Sequence, residues 1–157
     1  MALGTLSETV RLGVFPVALC AAIACDLAWR IIPNLVVLAL LAGFAALAVA
    51  APIADLPERL LLAGLVTGVG FALFAHDILG AGDAKLAGAL TLWLDPAQVP
   101  AFMLICAGIA GLLTLGATLA ARAPAAAALR RAADALPYGV ALAGAGLLLQ
   151  PFSSLAG

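Results

Sequence analysis

Long apolar stretches, cut apart by short clusters of charge, proline and glycine, run along nearly the whole chain. Crossing about 30 Å of hydrocarbon takes ~20 helical residues, each rising about 1.5 Å. On that ruler the polar clusters mark out about six candidate spans. The first runs from about Leu12 to Ala28 and ends at Asp26, Arg30 and Pro33. The second, Leu35 to Ile53, carries no charge, and the third is Leu60 to Ala75. The fifth, Val99 to Ala121, is long and clean. The sixth starts near Pro137-Tyr138-Gly139 and runs to about Gln150. Gly and Ala recur throughout, which permits close helix–helix approach in lipid.

The fourth candidate does not fit the ruler. Between Lys85 and Asp95 lie nine residues, Leu86 to Leu94. As a helix they rise only ~14 Å. A span here has to begin near Ile78 and draw Asp83 and Lys85 into the membrane. The alternative is a re-entrant or interfacial piece. An ionisable residue inside a span costs at least about 2.5–3.5 kcal/mol and by default marks a functional site.

Composition fixes the solvent. Of the 157 residues 66% are hydrophobic and only 10% charged, with a mean hydropathy of +1.25. A soluble fold carries about 25% charged residues, so this chain has too little polar material to cover a surface in water. The expected class is an all-α polytopic membrane protein. Net charge is −1, so no basic field points to nucleic acid. Cys20, Cys25 and Cys106 sit in apolar runs without a CxxC pair or a histidine cluster, and read as small packing residues. The N-terminus has Glu8 before Arg11 and lacks a basic signal region, so the first segment reads as a retained span. No internal repeat is evident, and residues 1–157 read as one domain.

Counting alternate faces puts the end of span one, the end of span three and the start of span four on one side. Asp26 and Asp83 therefore share a face at similar depth. That face also receives Arg30, Lys85, Arg122, Arg130 and Arg131, against Arg11 and Arg59 on the other. Excess Lys and Arg mark the cytoplasmic side. Both termini are then expected outside, with the 76–83 and 122–137 loops inside. Without Arg30 and Lys85, the bias narrows to three against two. Residues Arg122 to Leu136 have the pattern of an amphipathic helix on the inner surface.

Three chemistries serve membrane-embedded hydrolases. A serine site needs a base within hydrogen-bond reach. Ser7, Ser153 and Ser154 lie at the outer face, and the single histidine, His76, at the inner one. An HExxH metal site needs two histidines on one helix face. Paired carboxylates remain, with no metal or organic cofactor called for.

The first carboxylate lies in Asp26-Leu27-Ala28-Trp29-Arg30-Ile31-Ile32-Pro33-Asn34. Asp26 and Arg30 share a face if helix persists, and Pro33 disfavours helix at Ile32. The plain reading is a charged span end with a snorkelling arginine. The second lies in Gly80-Ala81-Gly82-Asp83-Ala84-Lys85. Its glycines leave Asp83 on backbone that another chain can approach closely, or simply form a turn.

Together these two motifs resemble the type IV prepilin peptidases, the GxGD-type aspartic peptidases of bacteria and archaea. The short length and the Pro137-Tyr138-Gly139 start of the last span resemble the compact branch serving Flp/Tad-type pili. The resemblance covers nearly the whole chain. It implies that Asp26 and Asp83 are the catalytic pair, at the cytoplasmic face of a bacterial inner membrane. It implies substrates with a short basic leader, cut just before a hydrophobic pilin helix. Larger members carry a cytoplasmic insertion with paired CxxC motifs and also methylate the new N-terminus. That insertion is absent here, so methyl transfer is not expected.

Two aspartates close together in low dielectric share a proton and titrate as a unit. One activates a water and the other polarises the scissile carbonyl. Around them Pro33, Asn34, Gly80 and Gly82 complete the motifs. Arg30 and Lys85 either hold the pair's field, contact substrate or set topology. Asp77 reads as a solvated loop charge near the site, His76 as interfacial, and Tyr138 as an interfacial anchor or a border of the site. A small proton-coupled transporter also uses membrane carboxylates, though transporters tend to show internal repeats. A non-catalytic subunit of a pilus or secretion machine is the third reading. The partners expected are a prepilin-like protein and the lipid bilayer. Oligomeric state is not legible.

Overall fold

The computed structural model describes residues 9–50, 52–53, 55–121, 138–150 and 155. Every regular element among them is helical. A π-helical turn, Val10–Val14, leads into α1 (Phe15–Trp29), followed by α2 (Asn34–Ala50), α3 (Leu56–Ala75) and α4 (Ala81–Trp93). A short 3-10 turn, Pro96–Gln98, precedes α5 (Val99–Ala121), and α6 spans Tyr138–Leu149. Helices satisfy their own backbone groups, as a lipid environment demands. The expected inner-surface helix with Arg122, Arg130 and Arg131 lies outside the described residues. So do Pro137, both extreme termini and Ser7, Ser153 and Ser154.

Three segments are long and apolar enough to cross a membrane: Leu12–Trp29, Leu56–Ala75 and Pro96–Leu119. Helices α2 and α6 are shorter but equally apolar. Leu38, Leu61, Leu104 and Leu112 stand outward, a surface suited to lipid rather than water. This is a helical membrane protein.

In the fourth candidate span the helix does take in Asp83 and Lys85, as expected of a segment drawn back toward Ile78. Helix α4 begins at Ala81, not near Ile78, and its 13 residues rise about 20 Å. It is the central helix, packed by α2, α3 and α6, and every residue from Leu86 to Trp93 is buried. A helix sheathed by other helices need not match the lipid in length or hydropathy, which is why the sequence ruler failed on it.

Small residues set the packing distances. A Cβ added at Gly88 of α4 would overlap the Thr67 hydroxyl of α3, and one at Gly70 of α3 would fall 2.8 Å from Ala84 Cβ. These contacts run antiparallel, so α3 ends where α4 begins. At the far end of α4 the buried Trp93 ring packs on Phe15 (centroids 4.8 Å apart) and Phe44 (6.3 Å). Its indole N–H donates to the Leu40 carbonyl at 3.2 Å.

Arg59 departs from its expected role as an outer-face topology charge. Helix α3 starts at Leu56 rather than Leu60, so Arg59 lies in its first turn, fully buried. Its Nε donates to Asp55 Oδ1 at 2.9 Å and its NH1 to the carbonyls of Leu94 (2.7 Å) and Leu92 (3.2 Å). NH2 also donates to Asp95. The last carbonyls of α4 lack helical partners, and one guanidinium satisfies two of them.

Candidate functional site

At the opposite end of α4 the two motif-bearing turns meet. Asp26 sits in the last turn of α1 and is 6% exposed. Its Oδ2 accepts a hydrogen bond from the Val140 backbone N–H at 3.0 Å. Val140 belongs to the first turn of α6, whose free N–H groups and dipole favour an anion. A Cβ at Gly139 would fall 2.9 Å from both Asp26 Cγ and Oδ2, so glycine there lets the carboxylate reach the helix end.

Helix α1 stops at Trp29 because Arg30 is left-handed, with φ 56° and ψ 29°. Its backbone N–H closes the helix by donating to the Asp26 carbonyl at 3.0 Å. Helix therefore does not persist to Arg30, the condition for a shared helical face with Asp26, although both residues border the same cavity. The chain stays non-helical through Pro33, and α2 starts at Asn34.

Asp83 is the third residue of α4, half-buried, with Gly80 in the N-cap position. The Gly80 backbone N–H donates to the Asp83 carboxylate, and Asp26 is close enough for its charge to act on Asp83. The glycines also have steric reasons within the chain itself. A Cβ at Gly80 would lie 2.7 Å from Asp83 Oδ2, and one at Gly82 would lie 3.2 Å from Ile32 Cβ. Both keep φ negative, so room rather than conformational freedom is what they supply.

Ile32, which the sequence did not single out, ties the turns together. It is buried, and its Cβ lies against Gly82 while its Cδ1 would meet a Cβ at Gly139 at 2.9 Å. Gly139 and the Val140 N–H were likewise invisible as site groups, since a backbone donor leaves no mark in sequence. The Pro137-Tyr138-Gly139 helix start was the available signal.

Asp26 and Asp83 line one cavity of about 390 Å³ together with Arg30, Pro33, Asn34, Gly80, Gly82 and Lys85. Lys85 Nζ donates to Asn34 Oδ1 at 3.2 Å. Two carboxylates and two cations thus border one hollow. Asp77 lies in the exposed turn after α3, left-handed at φ 56°, and does not border it. Tyr138 starts α6 but lines a separate apolar cleft. His76 caps α3 in the same exposed turn as Asp77. Among the described residues no three His, Cys, Asp or Glu side chains group as metal ligands. Two carboxylates facing a polar hollow within an apolar bundle can pass protons to and from a bound water and a polarised carbonyl.

The model of the type IV leader peptidase family matches residues 13–115, which include both aspartates and their flanking motifs. No curated protein and no solved structure matches the chain.

Proposed function

The chain belongs to the type IV leader peptidase family, and from that premise we propose that it is an aspartic endopeptidase of the Flp-type branch. It removes the leader of prepilin-like proteins at the cytoplasmic face of the inner membrane. Asp26 and Asp83 are its catalytic pair. The observation that carries this reading is that both carboxylates line one cavity, each at a helix N-terminus that shapes its position.

The pair holds one proton between two carboxylates. The ionised member takes a proton from a bound water, which attacks the scissile carbonyl. The neutral member donates to the carbonyl oxygen, and the tetrahedral intermediate collapses as the leaving amine gains a proton. Arg30 and Lys85 temper the negative charge that develops, and the Lys85–Asn34 bond holds one cation at the cavity wall.

The test is leader removal by purified protein from a Flp-type prepilin. Wild type yields a shortened product. Asn keeps the shape of Asp but cannot ionise, so Asp26→Asn and Asp83→Asn each abolish nearly all cleavage. The double variant is scarcely slower than either single one, because groups acting as a unit are non-additive. Asp77→Asn, outside the cavity, loses about tenfold or less, at most ~1.4 kcal/mol in the barrier. Substantial cleavage by either single variant at normal stability would end the dyad assignment.

A further inference from the structure

Helices α2 and α3 stand apart on either side of α4 and leave a lateral groove of about 760 Å³. Its walls include Leu38 and Leu41 of α2 and Leu60, Gly64 and Gly68 of α3, and its floor is Gly88 and Ala89 of α4. Gly64 and Gly68 are spaced like the small-xxx-small pairs at which membrane helices approach closely. Nothing lies within 4 Å of a Cβ added at either. The glycines thus face open space rather than a partner helix of this chain.

The groove ends at the candidate site. Asn34 and Lys85 line both it and the carboxylate cavity. A second apolar cleft of about 460 Å³, bordered by α3, α5 and Tyr138, shares no lining residue with that cavity. Anything filling the first therefore has its end beside the aspartates, and anything filling the second does not.

We propose that the α2–α3 groove docks an apolar helix of the substrate, the segment adjoining the scissile bond, and that Asn34 and Lys85 mark where this helix gives way to the extended chain being cut. This rests on the peptidase reading above. A groove open to lipid admits the substrate sideways, so the helix need not leave the bilayer to be cleaved. Apolar walls exclude a polar peptide, and the bare α3 glycines allow backbone-to-backbone approach. Selection for membrane-inserted substrates follows from the groove, while the chemistry belongs to the cavity.

A photo-reactive residue at Leu38, in protein carrying Asp83→Asn and placed in vesicles with a membrane-inserted prepilin, reads the occupant directly. The expected adduct joins Leu38 to the prepilin residues that follow the cleavage point. Adducts only to lipid, or only to a second copy of the protein, overturn the assignment. In parallel, Gly64→Leu with Gly68→Leu fills the groove from a surface where nothing clashes. Its kcat/KM on the inserted prepilin falls at least about tenfold, the cost of losing a close helix contact. Gly108→Leu, equally open but on α5, stays within about twofold of wild type on the same scale. If wild type cuts the prepilin while the groove variant cuts as well and the probe stays off the substrate, the groove assignment alone falls. If wild type does not cut, the peptidase reading falls with it.

Discussion

Gly139 carries as much of the site's geometry as either acid. With no side chain it lets the Asp26 carboxylate reach the Val140 N–H, and any Cβ would press on Cγ, Oδ2 and Ile32 Cδ1 at 2.9 Å each. Gly139→Ala therefore displaces the carboxylate by a fraction of an ångström to an ångström. Misplacement on that scale costs about a hundredfold in rate. We expect kcat for leader removal to fall by about that factor while the protein stays folded, as followed by thermal unfolding in detergent. Gly144→Ala, whose Cβ would make an ordinary 3.4 Å contact with Ile109, should leave kcat unchanged. Equal losses at both positions would mean that α6 as a whole tolerates no added methyl, and the positioning role of Gly139 would go. The two acids were legible in sequence because a charge inside an apolar run is costly and conspicuous. Ile32, Gly139 and the Val140 N–H were not, since they act through shape and backbone and look like their neighbours.

At the scale of elements, α4 is held at both ends by different means. One end carries Asp83 and leans on Gly70 and Ile32, while the other is held by Trp93 and the Arg59 guanidinium. Arg59 read as a topology charge because an arginine near a span start usually is one. The signals for its real part were Asp55 four residues earlier and Asp95 at the end of the puzzling fourth segment. Removing one partner of a buried ion pair costs about 3–5 kcal/mol, and the lower end applies because Asp55 and Asp95 keep some exposure. Arg59→Met should thus destabilise the protein by about 3 kcal/mol, read as an earlier thermal transition in detergent. Arg59→Lys should recover only part of this, since a point charge does not replace a fork that serves four acceptors. A transition unchanged in Arg59→Met would show that Trp93 alone fixes this end. The helices themselves were legible to within a few residues from hydropathy. Only α4 escaped that ruler, because burial by protein releases a helix from the length and hydropathy that lipid imposes on the rest.

For the whole molecule the open matter is sidedness. The site lies at the end shared by the close of α1 and the start of α2, α4 and α6, and the Arg59 cluster lies at the other. With Arg59 bound to Asp55 and Asp95 inside the fold, one of the two positive charges counted at the far end ceases to oppose those counted at the site end. That strengthens the arginine bias toward a cytoplasmic site. In a background without Cys20, Cys25 and Cys106, Ile78→Cys and Glu58→Cys sit on exposed positions at opposite ends. A membrane-impermeant thiol reagent added outside intact cells should label the second and not the first. Labelling of Ile78→Cys alone would invert the orientation, and labelling of both would remove the two-sided arrangement.

The short central helix has a consequence for where water can stand. The polar groups at its two ends are separated by only about 20 Å, against a hydrocarbon layer of ~30 Å. The helices that sheathe α4 meet the lipid in its place, so the shortfall is taken up within the protein rather than by the bilayer. It is taken up as a polar hollow of about 390 Å³ at the start of α4, bordered by Asp26, Asp83, Arg30 and Lys85. Such a hollow is an inlet for the water that hydrolysis consumes, carried down to a helix end that lipid would otherwise keep dry.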